Sequence, residues 1–316
     1  MEFRLSRTRA LFRGVLESKF FGPFFRRGIL SFEFHREKRA LFSDALRVGA
    51  KPFTPPSFMR ALDSKARADT LFILGSGPSV NQLTEENLKE MHSQRSVGIN
   101  NWPIHPFVPD FYAFESVSHV GDGRDLSRAF RLLNSRLRGR DTVPVLLLRL
   151  RSAGQVAQLE QLQPRLRKFL FYYGRISPAT RLDKNLPDDI ATVLALSKNS
   201  HPGVVVDSGA SVVRMVSIGL LLGLRNFVLV GVDLVGNDYF WESSGFFLDE
   251  GMSLPANNQS GDVHETMRSD TRPFSASVML QALSNQVSRH TGGQLYVSSP
   301  TSRLATFLPV FPWGCR

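Results

Sequence analysis

The chain has 316 residues, 42% apolar and 21% charged, which are globular values and exclude a disordered chain. Its single cysteine, Cys315, excludes a disulfide framework and a cysteine-based zinc site. The net charge is +11, and an excess of eight positive charges sits in residues 1–70, where fifteen Lys and Arg face seven Asp and Glu.

Residues 1–69 read as a basic, Phe-rich N-terminal extension. Arg4, Arg7, Arg9 and Arg13 interrupt its apolar residues, which is unlike a secretory signal. Phe12, Phe20, Phe21, Phe24 and Phe25 precede Arg26 and Arg27. Short amphipathic pieces are expected here, broken at Gly22-Pro23, Pro52, Pro55 and Pro56. Three readings stand side by side: a helical appendage packed on the main domain, an interfacial segment on anionic lipid, and a phosphate-contacting nucleic-acid segment. No nucleic-acid motif supports the last, so no nucleic-acid partner is expected. No run reaches the roughly 18 apolar residues of a transmembrane helix, and a cytoplasmic protein is the expectation.

Residues 70–316 read as one nucleotide-binding α/β domain. Leu71–Leu74 is a short apolar strand closed by Gly75. Glu85–Met91 reads as helix, and Ser96–Ile99, Asp110–Phe114 and Val143–Leu148 as further strands. About 150–205 is expected to be an insertion or lid, with a second loop region at about 236–272. Ser208–Leu222 is a helix, with Ser208 placed to cap it and Gly223 to stop it. Asn226–Val230 is a strand, Ser275–Thr291 a helix stopped by Gly292-Gly293, and Leu295–Val297 a final strand. Apolar strands alternating with helices predict a mostly parallel, Rossmann-like sheet covered on both faces.

Ligands of such sheets bind beyond the carboxyl ends of the strands. The residues that follow the strands are Gly75–Ser79, Asn100 and Asn101, Glu115 and Ser116, Asp207–Gly209, Asp233, and Ser298 and Ser299. The loop Gly75-Ser76-Gly77-Pro78-Ser79 lets backbone N–H groups approach an anion. It matches neither the Walker A loop nor Gly-x-Gly-x-x-Gly. A tight turn without ligand is its other reading. Asn100 and Asn101 suit a base or sugar hydroxyl, or an Asx turn. Asp233 suits a ribose, a metal or a cap. His264, in a polar loop, has an imidazole that titrates at about 6.5 and could take a proton from a hydroxyl. It could equally be a surface histidine. Asp262, His264, Glu265 and Asp270 are not at a recognisable metal spacing.

Taken in order, these pieces resemble the bacterial CMP-sialic-acid-dependent sialyltransferases that decorate lipooligosaccharide. The resemblance covers about residues 70–310. It rests on Ile73–Ser79, then Ile99-Asn100-Asn101, then Asp207-Ser208-Gly209 with its apolar helix, Leu229–Asp233, His264 and Tyr296–Phe307. The last piece contains Ser302, Leu304 and Phe307 of a Ser-x-Leu-x-x-Phe segment. The loop alone also resembles a broader group that includes archaeal pterin pyrophosphokinase-like proteins.

The resemblance implies a variant GT-A-type fold and an inverting, metal-independent glycosyltransferase without a cofactor, using a CMP-activated acidic sugar such as sialic acid or a Kdo-like sugar. It implies that Gly75–Ser79, Asn100, Ser208, Gly209 and Asp233 hold the nucleotide. Asn101 and Glu115 would face substrate, with His264 the general base and Tyr239 a leaving-group donor. The implied partner is a glycan or glycolipid acceptor; the basic N-terminus adds an anionic inner-membrane surface to the expected partners, and a homo-oligomer is left open. Three positions depart from the family: Val235 where a first tyrosine stands, Glu115 in place of an asparagine, and Val205 or Val206 in place of an arginine. Two alternatives accompany this reading. One is a phosphotransferase with Glu115 and Asp233 on a metal; the other is a non-catalytic glycan-assembly protein.

Overall fold

A computed structural model describes residues 22–62, 68–115, 126–141, 143–149, 157–200, 203–236, 238–243 and 274–314. In chain order its main elements are helix α1 (Gly22–Arg47), strand β1 (Lys51–Pro52) and α2 (Pro55–Ala61), then β2 (Thr70–Leu74), α3 (Glu85–Ser93), β3 (Arg95–Ile99) and β4 (Phe111–Glu115). There follow α4 (Leu126–Arg136), β5 (Val145–Arg149), α5 (Pro164–Arg167), β6 (Leu170–Tyr172), β7 (Gly174–Ile176), α6 (Leu186–Ser200) and β8 (Val204–Val206). The chain continues through α7 (Ser211–Leu221), β9 (Asn226–Val230), α8 (Phe240–Ser243), α9 (Ala276–Thr291) and β10 (Leu295–Val297).

Eight strands form one sheet in the order β1-β6-β5-β4-β3-β2-β9-β10, and every pairing in it is parallel. The central strands are buried on both faces, as their unbroken apolar runs require. Alternate residues separate into two cores. Leu71, Ile73, Val97, Phe111 and Leu147 pack with α2, α6, α7 and α9. Phe72, Leu74, Tyr112, Phe114 and Leu148 pack with α3, α4 and α5 on the other face. The chain proceeds from β2 outward to β6 with α3, α4 and α5 on one face. It then returns to the far side of β2 with α7 and α9 on the other. The switch therefore falls between β2 and β9, with mixed winding of the doubly wound kind.

The N-terminal stretch differs from the expected string of short pieces. Gly22-Pro23 opens a helix of 26 residues, because proline in a first turn forfeits no internal hydrogen bond. The described part of the 1–69 extension is bound into the α/β body. Leu30 and Phe34 of α1 enter one core, and Leu41 and Ala45 the other, so the helix straddles the sheet edge. Buried Arg26 pairs with Asp189 of α6 at 3.2 Å, and β1 pairs with β6. The 150–205 stretch contributes β6 to the main sheet and pairs β7 with β8 in a second, two-stranded sheet. Its described residues are thus part of the framework.

Helix ends follow their local chemistry in α3 and α9. Thr84 and Asn87 form a reciprocal capping box. Ser275 caps α9, and Gly292 closes it in the left-handed region at φ 64°. The helix expected from Ser208 begins instead at Ser211, with Ala210 as its N-cap and no side-chain acceptor there. The left-handed Gly209, at φ 83°, separates Ser208 from the helix.

Candidate active site at the carboxyl edge of the sheet

Two groups of side chains gather at the carboxyl ends of the strands. The first joins the turns after β2 and β9. Gly75 N–H donates to the Val230 carbonyl and Gly77 N–H to that of Gly231, both at 2.7 Å. Ser79 donates to Asp233 twice, through its backbone N–H at 2.9 Å and its hydroxyl at 2.5 Å. A Cβ on Gly75 would stand 2.6 Å from the Gly231 carbonyl oxygen, and one on Gly77 would overlap the Asp233 carboxylate. The glycines are therefore explained by close approach of the β9 turn. The anion at this turn is the protein's own Asp233, in the capping role that was one of its expected readings.

The segment that carries Tyr239 closes over this turn. Phe240 N–H donates to the Ser76 carbonyl at 3.0 Å, and Asn81 Nδ2 donates to the Phe240 carbonyl at 2.9 Å. The Tyr239 ring stacks on Trp241 at 4.5 Å between centroids. Tyr239 is half-buried, while Val235, where a first tyrosine was expected, is exposed.

The second group joins the ends of β3, β4 and β8 to the start of α7. Asn100 adopts a left-handed backbone at φ 51°. Its Oδ1 accepts the Glu115 N–H at 3.2 Å, and its Nδ2 reaches Ser211 Oγ at 3.5 Å. The buried Glu115 carboxylate accepts from Ser211 Oγ at 2.5 Å, from the Tyr173 hydroxyl, and from both Nε and Nη2 of Arg214. Arg214 also pairs with Asp207, whose other oxygen takes Arg175 Nη1 at 2.5 Å. Gly209 N–H completes the turn by donating to Asp207 at 2.8 Å. Two carboxylates and two guanidiniums thus form a near-neutral buried network, as low dielectric demands.

Burial alone would raise the Asp207 carboxyl, but Arg214, Arg175 and the Gly209 N–H outweigh it and hold it down to about 2. Burial and then Glu115 push the Tyr173 hydroxyl well above its usual range, so it stays a proton donor. Glu115 is fully occupied by Arg214, Ser211 and Tyr173, and Asp233 by Ser79. The pair is therefore not poised to share a metal ion, as the phosphotransferase alternative requires. Among the described residues no three His, Cys, Asp or Glu gather to hold a metal.

Ser208 carries an unsatisfied hydroxyl at this edge. Its Oγ is buried and has no hydrogen-bond partner. It sits at the turn leading to the N-terminus of α7, whose first amides lack a side-chain cap. Such groups favour an acceptor with negative charge. Asn101 opens the short turn Trp102–Ile104, and its carbonyl accepts the Ile104 N–H at 3.0 Å. His264 lies outside the described residues.

Of the expected residues, Asn100, Glu115 and Gly209 meet in one network, and Gly75–Ser79, Asp233 and Tyr239 in the other. Arg214, Arg175 and Tyr173 were missed. Arg214 carried a signal, being a lone charge within the apolar run Ser211–Leu221, where a buried partner is the rule. Arg175 carried none. It lies opposite Val205 in the β7–β8 register.

The fold and its edge define a doubly wound parallel α/β protein with polar side chains gathered at the carboxyl ends of its strands. The chain is similar in structure to the monofunctional α-2,3-sialyltransferase Cst-I of Campylobacter jejuni, at 13% identity over 78% of this chain and 81% of that one, with a TM-score of 0.43. It is similar to the sialyltransferase CstII of the same organism in complex with cytidine-5'-monophosphate, at 12% identity over 77% and 85%, with a TM-score of 0.41. It is also similar to the MAf glycosyltransferase of Magnetospirillum magneticum AMB-1, at 18% identity over 84% of this chain but 37% of that one, with a TM-score of 0.38. No protein-family model matches the sequence. No curated protein matches it either.

Proposed function

We propose that the chain is an inverting glycosyltransferase that moves an acidic sugar, sialic acid or a Kdo-like one, from a CMP-activated donor to a cell-surface glycan precursor. One observation carries the reading: the buried, unpartnered Ser208 hydroxyl beside the uncapped N-terminus of α7, at the carboxyl edge of a parallel sheet. An acceptor-rich ligand such as a nucleoside monophosphate satisfies both. The ordered sequence motifs give this group its cytidine reading. Asn100 and Gly209 border the nucleotide in this proposal, and Asn101 faces the sugar.

The Gly75–Ser79 loop and Asp233 shape the floor of the site in this reading. Ser79 and Asp233 serve one another, while the Gly75 and Gly77 N–H groups donate to Val230 and Gly231. Tyr239 donates to the departing phosphate, and His264 takes the proton from the acceptor hydroxyl as that oxygen attacks the anomeric carbon. The C–O bond to CMP breaks as the new one forms, so the product is inverted. A peripheral place at the inner face of a membrane fits a lipid-linked acceptor.

A thermal-shift series with CMP, CDP, GDP, UDP and ATP tests the nucleotide. Selective stabilisation by CMP is expected; binding of ATP alone would replace this reading with a phosphotransferase. CMP release with a competent donor and acceptor tests His264. His264→Ala should lose at least about a hundredfold in turnover, the low end of general-base contributions. Unchanged turnover would remove His264 from the mechanism. Selective CMP binding with no turnover of any donor would favour a non-catalytic assembly role.

A further inference from the structure

The outer face of α1 is composed unlike the rest of the surface. Phe24, Phe25, Phe32, Phe42 and Leu46 are exposed, Phe24 and Leu46 by 80% and 82%. They recur at helical spacing with exposed Arg27, Arg36, Arg39 and Arg47. Arg36 pairs with Glu33 and Arg47 with Asp44 at 3.1 Å, and Glu37 points inward, which leaves Arg27 and Arg39, among the described residues, without a carboxylate partner on the helix. Positions 25, 28, 32, 35, 39, 42 and 46 fall on one stripe, spaced by three or four residues. That stripe runs about 30 Å at 1.5 Å per residue.

We infer that this face of α1 is a docking surface for an anionic lipid bilayer. Phe24, Phe25, Phe32, Phe42 and Leu46 enter the headgroup boundary, and Arg27 and Arg39 meet lipid phosphates. Large apolar side chains in such a stripe carry a hydration cost that only an apolar partner removes. Interspersed arginines select an anionic one. A second copy of this chain fits less well, because an isologous contact would bring two net-positive faces together. Nucleic acid would satisfy the arginines and leave the phenylalanines against phosphate.

The inner side of the same helix holds the framework of the site. Glu37 accepts the Arg175 N–H at 3.0 Å and pairs with Arg149 at 2.8 Å. Docking of α1 thus fixes the orientation of the carboxyl edge relative to the bilayer. The inference is independent of which nucleotide the site binds.

The test is flotation of the full chain with vesicles of phosphatidylcholine alone and of equal phosphatidylcholine and phosphatidylglycerol. Three proteins are compared: wild type, Phe32→Ser with Phe42→Ser, and Arg27→Gln with Arg39→Gln. Circular dichroism checks that the variants fold, as exposed positions allow. Wild type should float with the anionic vesicles and not with the neutral ones. Each arginine removed should weaken partition by about fivefold, and the serine pair should abolish it. Equal flotation of all three proteins, or equal binding to both vesicle types, would overturn the inference. So would a dimer in sedimentation that the serine pair dissociates, because the face would then be a contact between copies.

Discussion

The Asp233 carboxylate receives both the backbone N–H and the hydroxyl of Ser79, at 2.9 and 2.5 Å. A loop that reads as a cradle for a foreign anion is therefore closed by an internal one. The two residues sit where the winding of the sheet reverses, so they fix the geometry of the whole carboxyl edge.

Gly77 and Asp233 should be energetically coupled. Asp233→Ala should cost about 1–3 kcal/mol by orphaning the Ser79 donors. Gly77→Ala should cost a similar amount, about 1–3 kcal/mol, because its Cβ overlaps the carboxylate. The double variant should cost less than the two together, since removing the carboxylate makes room for the methyl group. Urea denaturation of the four proteins measures this, and strict additivity would contradict the contact.

Arg214 should be the most sensitive charge in the protein. Arg214→Met leaves Glu115 and Asp207 buried without their main counter-ion and should cost about 3–5 kcal/mol. Tyr173→Phe removes one hydrogen bond and should cost about 1 kcal/mol. If Arg214→Met unfolded no more readily than Tyr173→Phe, the network would not be the electrostatic unit described.

Asp207 should contribute an acid limb to stability. Its folded value, about 2, lies below the usual 3.8, so the charged form is favoured by folding. That stability is present above pH 3.8 and is lost as pH falls through about 2. Asp207→Asn should flatten the decline between those values, measured by thermal midpoint against pH. An unchanged acid limb would place the sensitivity elsewhere.

His105 should act over a milder window. It is buried against Trp102, its Nδ1 accepting the Phe107 N–H at 3.0 Å. Burial, and then the nearby Arg136, lower it from 6.5 to about 4. The unfolded chain therefore takes the proton first, and stability falls as pH drops from 6.5 toward 4. The loss amounts to roughly 3 kcal/mol. His105→Asn, which keeps an acceptor and does not titrate, should be flat across that range.

Ser208 should separate binding from folding. Because its Oγ is buried with no protein partner, Ser208→Ala should leave stability undiminished and raise it by up to about 1–3 kcal/mol, the cost of an unsatisfied buried group. The same change should weaken CMP binding by about tenfold, the worth of one hydrogen bond to a charged group. Titration calorimetry reads the second effect, and undiminished affinity would take Ser208 out of the nucleotide site.

The sequence by itself determined the elements whose signals are local. Leu71–Leu74, Ser96–Ile99 and Asn226–Val230 are apolar runs that only a sheet buried on both faces accommodates, and they are β2, β3 and β9. Ser275 and Gly292 mark the ends of α9 because capping acts within one turn. The parallel architecture followed from such runs alternating with helices. Where signals compete locally, the reading shifted: the piece after Gly22-Pro23 is one helix of 26 residues and not a short one, and Ser208 stands outside the helix it was placed to cap.

Only the tertiary structure decided what the polar residues do. Asp233 is 154 residues from Ser79, and Glu115 is 99 from Arg214. No spacing rule connects positions so far apart, and each had several chemically sensible partners. A buried charge takes whichever partner the strand order brings within reach, because leaving it unpaired in a low dielectric costs more than any local preference. That order, with β9 beside β2 and α7 against β2 and β3, turned Asp233 into a brace for the glycine loop and left Ser208 with a buried hydroxyl that has no partner.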